Sequence, residues 1–254
     1  MKHAIYRKIL LNREAGKKML AVLIDAEKSH GRNFASVVAT LKVACPDFII
    51  IGGNHQVRSI DSMIAILKEE IDSDVLIFPG DVAQFSANAD ALLYLSLLSG
   101  RNPEYLIGHH VKSSLAVVDS GIEVIPTAYL LIDGGKISAM EYLSNTRSIP
   151  RDQYELILST ALAGELMGMR ITFLDAGSNA AFPISETVIK FIKDRTLSPL
   201  IVSGGINSID DLENAMKAGA DIVVINNESL SDKSDKLVGY INRVKQLNQH
   251  LQDA

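Results

Sequence analysis

Cysteine and tryptophan are nearly absent: of 254 residues one is a cysteine, Cys45, and none is a tryptophan. A single thiol excludes an internal disulfide. The lack of any CxxC pair or Cys/His cluster leaves no zinc or iron–sulfur pattern to read. A reducing, cytoplasmic setting is the expectation. Basic residues are outnumbered as well, 25 Lys and Arg against 30 Asp and Glu, for a net charge of −5. That balance argues against a nucleic-acid partner, so any anionic ligand must be held by local groups. No apolar run approaches the roughly 18 residues of a membrane span, and none forms the hydrophobic centre of a signal peptide within the Lys- and Arg-studded residues 1–18.

What is present is an ordinary globular composition, 47% hydrophobic and 22% charged, enough to close a sizeable core. Eight short apolar runs recur, at residues 19–24, 48–51, 75–78, 105–107, 123–131, 170–174, 200–202 and 222–225. They are continuous, not alternating, which marks strands of a parallel sheet buried on both faces. Helical apolar spacing fills residues 34–44, 60–71, 87–98, 153–167, 185–194, 208–218 and 230–251. Eight such units in about 250 residues predict the α/β class and a (β/α)8 TIM-type barrel. With no repeat, linker or low-complexity tract, a single domain over 1–254 is expected.

A barrel of this kind carries its chemistry at the carboxyl ends of its strands. Asp25 ends the first run and Gly52-Gly53-Asn54 the second. Gly177-Ser178-Asn179 and Ser203-Gly204-Gly205 follow the sixth and seventh, and Asn226-Asn227 the eighth. Glycine-rich loops after the late strands, with a helix starting near Ser208, suit an anionic phosphate; tight turns alone would also use these glycines. Asp25 suits Mg²⁺, which takes one or two carboxylates and completes its shell with water and phosphate oxygen; an N-cap is the other use of an aspartate there. Arg101, His109, His110 and Lys112 flank the fourth unit and offer cations to a second anionic group or to solvent. The stretch around Tyr94 supplies either a greasy groove or a buried helix face.

The stretches Leu23-Ile24-Asp25-Ala26-Glu27-Lys28, Ile77-Phe78-Pro79-Gly80, Ser99-Gly100-Arg101-Asn102-Pro103, Pro126-Thr127-Ala128-Tyr129, Phe173-Leu174-Asp175-Ala176-Gly177-Ser178 and Val202-Ser203-Gly204-Gly205-Ile206 together resemble the geranylgeranylglyceryl phosphate synthase family, in order and over nearly the whole chain. The resemblance implies an enzyme that transfers a prenyl group from a polyprenyl diphosphate, geranylgeranyl by preference, to the C3 hydroxyl of sn-glycerol 1-phosphate. It implies Asp25 as a Mg²⁺ ligand, with Asn54 at the position of the second metal partner. It implies Phe173, Leu174, Asp175, Ala176, Gly177, Ser178, Asn179, Gly204, Gly205, Asn226 and Asn227 as the grip on glycerol phosphate, and Tyr129 as a wall of the acceptor site. Asp175 is the carboxylate expected to take the hydroxyl proton, and Arg101 is an expected substrate contact. Homo-oligomers, dimers or hexamers, are expected.

The chain departs from the family's usual residues at Asn54, Phe173, Asp175, Asn179, Ser203 and Ile225. These departures keep a second reading open, a catalytically altered or inactive relative that binds a prenyl or phosphate ligand or serves as an oligomer partner.

Overall fold

The computed structural model describes residues 4–29, 31–53, 60–80, 84–226 and 234–252. Its strands are β1 (Met19–Asp25), β2 (Phe48–Gly53), β3 (Asp74–Pro79), β4 (Ala91–Leu97), β5 (Glu123–Leu131), β6 (Ile171–Asp175), β7 (Leu200–Ser203) and β8 (Ile222–Asn226). They form a closed barrel in chain order. The pairing is parallel, with Asp25 opposite Gly52 across β1 and β2, and Leu131 opposite Asp175 across β5 and β6. The continuous apolar runs make this arrangement favourable: Ile49, Ile50 and Ile51 are all buried although successive side chains point to opposite faces.

The helices are α1 (Ala4–Glu14), α2 (Gly31–Ala44), α3 (Asp61–Glu70), α4 (His109–Ser120), α5 (Ala139–Leu143), α6 (Tyr154–Leu166), α7 (Glu186–Lys193), α8 (Ile209–Ala218) and α9 (Ser234–Gln252). Their starts follow local chemistry. Ser185 accepts from the Val188 amide to cap α7, and Ser208 and Asp211 form a reciprocal capping box on α8.

The fourth unit corrects the sequence reading. The helix expected over 87–98 is instead β4, and the strand expected at 105–107 is a π-helical turn, Glu104–Gly108, that runs into α4. Hydrogen bonding to β3 decides the first point: Asp90 N donates to the Val75 carbonyl at 2.8 Å, and Val75 N donates to Asp90 Oδ2 at 2.9 Å. The second follows from Asn102, whose Oδ1 accepts from Glu104 N at 3.0 Å and starts a helical path. Tyr94 therefore stands on a strand, and no helix connects β3 to β4 among the described residues.

Two compact units can be distinguished, one of residues 1–93, 113–124 and 225–254, the other of 94–112 and 125–224. In the first, buried Glu123 accepts the Ile5 and Tyr6 amides, both at 2.8 Å, and ties down the start of α1. In the second, Lys193 pairs with buried Asp221, whose Oδ2 also accepts from Leu200 N at 2.8 Å at the start of β7.

Candidate active site

Within the second unit, the carboxyl ends of β5, β6 and β7 converge on Asp175. Parallel pairing sets Tyr129 opposite Phe173 and Leu131 opposite Asp175, so Tyr129 and Asp175 share one face of the sheet, offset by two residues. A phenol spans that offset: Tyr129 Oη donates to Asp175 Oδ2 at 2.6 Å. The other oxygen, Oδ1, accepts from Gly177 N at 2.9 Å, and the Ser203 hydroxyl donates to the same carboxylate. Phe173 meets the Tyr129 ring edge to face, with centroids 5.6 Å apart.

The electrostatics follow from enclosure. Burial raises the Asp175 carboxyl above its ordinary range, and the hydrogen bonds from Tyr129, Gly177 and Ser203 offset only part of that rise. Burial, with the Asp175 charge beside it, pushes the Tyr129 phenol well up, so it remains a protonated donor. No Lys, Arg or His forms an ion pair with Asp175 among the described residues. The result is a carboxylate with a fixed geometry and no counter-ion among the described residues, the environment in which a carboxyl group is tuned toward proton transfer.

The loops around it are built for close backbone approach. Gly204 lies at φ +83°, and a Cβ there would stand 2.8 Å from Asp175 Oδ1 and from the amide nitrogens of Ala176 and Gly177. Ala176 N donates to the Ser203 carbonyl at 3.0 Å, which fixes the β6 loop to the end of β7. Phe173, Leu174 and Ala176 are buried, so their side chains pack in the core, while Ser178 and Asn179 are exposed. Gly205 follows Gly204 in the loop before α8.

In the first unit, Asp25 closes β1. Its Oδ1 accepts from the Glu27 amide at 3.0 Å and the Lys28 amide at 3.4 Å, and Lys28 Nζ lies 3.4 Å from Oδ2. A Cβ added to Gly53 would meet Oδ1 at 3.4 Å, so the end of β2 comes within van der Waals reach of the carboxylate. No group of three or more His, Cys, Asp or Glu side chains gathers as a metal cage among the described residues. One carboxylate at a strand end fits a hard cation that draws its remaining ligands from water and substrate phosphate.

Other expected site residues are placed differently. Arg101 is exposed and turns its Nη1 back onto the carbonyls of Leu98 and Gly100, at 3.0 and 2.8 Å. Lys112 pairs with Glu104 at 2.6 Å, and His109 and His110 stack edge-on against Tyr105 and Tyr94. Asn226 closes β8, while Asn54 and Asn227 lie outside the described residues. Two contributors escaped the sequence reading. Buried Gln84 accepts from Gly80 N at 2.6 Å and donates to the Gly53 carbonyl at 2.7 Å, tying the ends of β2 and β3 together. Gly134 lets its turn press on Ala176, whose carbonyl would meet an added Cβ at 2.3 Å. A glutamine shortly after a strand's Pro-Gly was the available signal for the first; for the second it was the Gly134-Gly135 turn that opens the irregular segment 133–149.

The PcrB family profile matches residues 14–245. A protein of Chitinophaga pinensis named geranylgeranylglyceryl phosphate synthase is 43% identical over 228 residues, covering 89% of this chain and 90% of its own. One of the same name from Zunongwangia profunda is 44% identical, covering 82% and 89%. Among solved structures, (S)-3-O-geranylgeranylglyceryl phosphate synthase from Thermoplasma acidophilum, in complex with its substrate sn-glycerol-1-phosphate, superposes with a TM-score of 0.87 at 30% identity, covering 94% of this chain and 97% of that one.

Proposed function

The chain belongs to the PcrB family, and from that premise we propose that it is a prenyltransferase joining a polyprenyl group, geranylgeranyl by preference, to the C3 hydroxyl of sn-glycerol 1-phosphate. The observation that carries this reading is Asp175: a part-buried carboxylate with no ion pair among the described residues, held by Tyr129 and Gly177 beside glycine loops that admit backbone close to a ligand. The donor's allylic C–O bond breaks and diphosphate leaves with the electron pair. The glycerol oxygen forms the new bond to that carbon, and its proton passes to the Asp175 carboxylate. An attacking hydroxyl of this kind needs only a modest base, and holding it against the allylic carbon is the larger contribution.

Asp25 would hold Mg²⁺ through one carboxylate oxygen, and Asn54 is the second metal partner that the family resemblance implies. The chemistry that a bound Mg²⁺ supplies is neutralisation of charge on the departing diphosphate. The backbone around Gly177, Gly204 and Gly205, with Asn226 and Asn227, would grip the glycerol phosphate, and Tyr129 would wall the acceptor site. Burying a prenyl tail contributes about 0.8 kcal/mol per CH2, so an apolar groove would contribute much of the donor affinity. We read the protein as a cytoplasmic homo-oligomer, a dimer or hexamer. A single cysteine, which leaves no internal disulfide to form, supports a reducing compartment.

The test is transfer of label from sn-glycerol 1-phosphate into lipid with a panel of prenyl diphosphates, with and without Mg²⁺, against sn-glycerol 3-phosphate as the stereochemical control. Mg²⁺-dependent product from the first acceptor alone is expected, lost in Asp25→Ala. No product with any donor from folded protein would overturn the reading.

A further inference from the structure

We propose that Tyr129 is a positioning residue for the proton acceptor: by holding Oδ2 of Asp175 its phenol fixes the carboxylate plane and hence which lone pairs remain for the incoming hydroxyl. This rests on the reading of Asp175 as the base.

The geometry leaves the carboxylate little freedom. Tyr129 Oη holds Oδ2 at 2.6 Å, a charge-assisted O–H···O length, while Gly177 N holds Oδ1 at 2.9 Å. The register of β5 against β6 sets the phenol's reach, and the Phe173 ring, edge to face at 5.6 Å, braces the Tyr129 ring from the same pair of strands. Phe173 has no hydroxyl, so the phenolic hydrogen bond to Asp175 comes from Tyr129. Gly204, with no Cβ, closes the space beside Oδ1. An aspartate has one torsion fewer than a glutamate with which to find a substrate, so the donors that orient it decide whether it is productive.

The groups facing Asp175 are few. From β5 there is the titratable Tyr129; from β7 the Ser203 hydroxyl; from its own loop the Gly177 amide; no cation pairs with it among the described residues. Tyr129 stays protonated because its enclosed phenol beside a carboxylate is pushed well above its ordinary value. Across the working range the one group of this pair that titrates is Asp175, and its hydrogen bond from Tyr129 favours the charged form.

Two readouts test the role. The first is the Asp175 carboxyl titration, followed by carbon NMR in the wild type and in Tyr129→Phe, which needs no turnover. The second is the pH profile of kcat with sn-glycerol 1-phosphate. In Tyr129→Phe the Asp175 midpoint and the acid limb of kcat are both expected at higher pH. At pH values below the wild-type limb kcat falls about 10- to 100-fold, the range for a hydrogen bond to a charged group, while KM changes little. Should Tyr129→Phe fail to fold, 3-fluorotyrosine at position 129 keeps the ring and acidifies the phenol, and the Asp175 midpoint is then expected to fall. An unmoved midpoint with either replacement, or a loss confined to KM, overturns the positioning role. A wild-type protein inactive at every pH overturns the functional reading instead, and the two failures are thereby distinct.

Discussion

Gly204 stands so close to Asp175 that a single added carbon would lie 2.8 Å from the carboxylate's Oδ1. The same carbon would press on the amide nitrogens of Ala176 and Gly177, also at 2.8 Å, and Gly204 holds φ at +83°. The end of β7 can thus be laid against the β6 loop only where the residue has no side chain.

Gly204→Ala is therefore expected to act on both stability and turnover. The left-handed backbone costs an alanine about 1–2 kcal/mol, and the contact with Asp175 must be relieved by shifting the carboxylate. A displacement of about 1 Å at a reacting group costs on the order of 100-fold in rate. Urea denaturation and kcat measured on the same preparation check this. A stable variant with wild-type kcat would show that the Gly204 contact does not set the position of Asp175.

Asn179 gives a contrasting case. It replaces a glycine of the family pattern, yet its φ is +60°, in the left-handed region that asparagine enters more readily than other residues with a side chain. The backbone of the β6 loop thus keeps the conformation a glycine would take. Asn179→Gly is expected to leave stability within about 0.5 kcal/mol, the usual range for an exposed position. Asn179→Val, β-branched at positive φ, is expected to lose about 1–2 kcal/mol. The two midpoints in urea decide it, and equal losses would mean that backbone conformation is not what the asparagine preserves.

The contrast between β4 and β6 shows what sequence alone makes legible. Seven of the eight strands stand where continuous apolar runs lie, because burial on both faces leaves an unmistakable composition. Residues 87–98 have that composition too, but their alanines and leucines also fall at helical spacing, and a short apolar stretch does not distinguish the two. The deciding contacts, Asp90 with Val75, come from a partner strand fifteen residues away. At the site, Asp175 and the glycine loops were legible because they follow strand ends. The phenol-to-carboxylate bond was not, since it depends on the register of β5 against β6. The charge of Arg101 is visible in sequence, whereas its bonds to the Leu98 and Gly100 carbonyls, set by the turn after β4, are not.

The Lys193–Asp221 pair tests the scaffold away from the chemistry. Asp221 is 6% exposed and Lys193 22%, at 2.6 Å, and the same aspartate receives the Leu200 amide at the start of β7. Removing one partner of such a pair leaves a buried charge uncompensated, which costs about 3–5 kcal/mol. Lys193→Met is expected near the low end of that range because its ammonium retains some solvent, and Asp221→Ala near the high end because an amide is orphaned too. Chemical denaturation of both variants, with the double variant to close the cycle, checks the order. Independent, additive losses would show that the two side chains are not coupled.

Asp175 also makes a testable link between function and stability. Burial raises its carboxyl in the folded protein, so the folded state holds that proton more tightly than the unfolded chain, whose carboxyl sits near the ordinary 3.8. The sign follows: this group's stabilising contribution is complete below the unfolded value and is lost as pH rises through the folded one. Above its folded value the protein therefore carries an ionised, part-buried carboxylate at a cost to its own stability. Asp175→Asn removes the charge and the titration together. Its melting temperature relative to wild type is expected to increase with pH across the window between the two values and to stay level above it, while prenyl transfer is lost. Thermal melts of both proteins from acid to neutral pH measure this directly. A difference independent of pH would mean that Asp175 titrates alike in the folded and unfolded chain, and the enclosure that makes it a base would have to be abandoned. A stability gain at neutral pH bought with loss of transfer would identify Asp175 as a residue kept for chemistry against the preference of the fold.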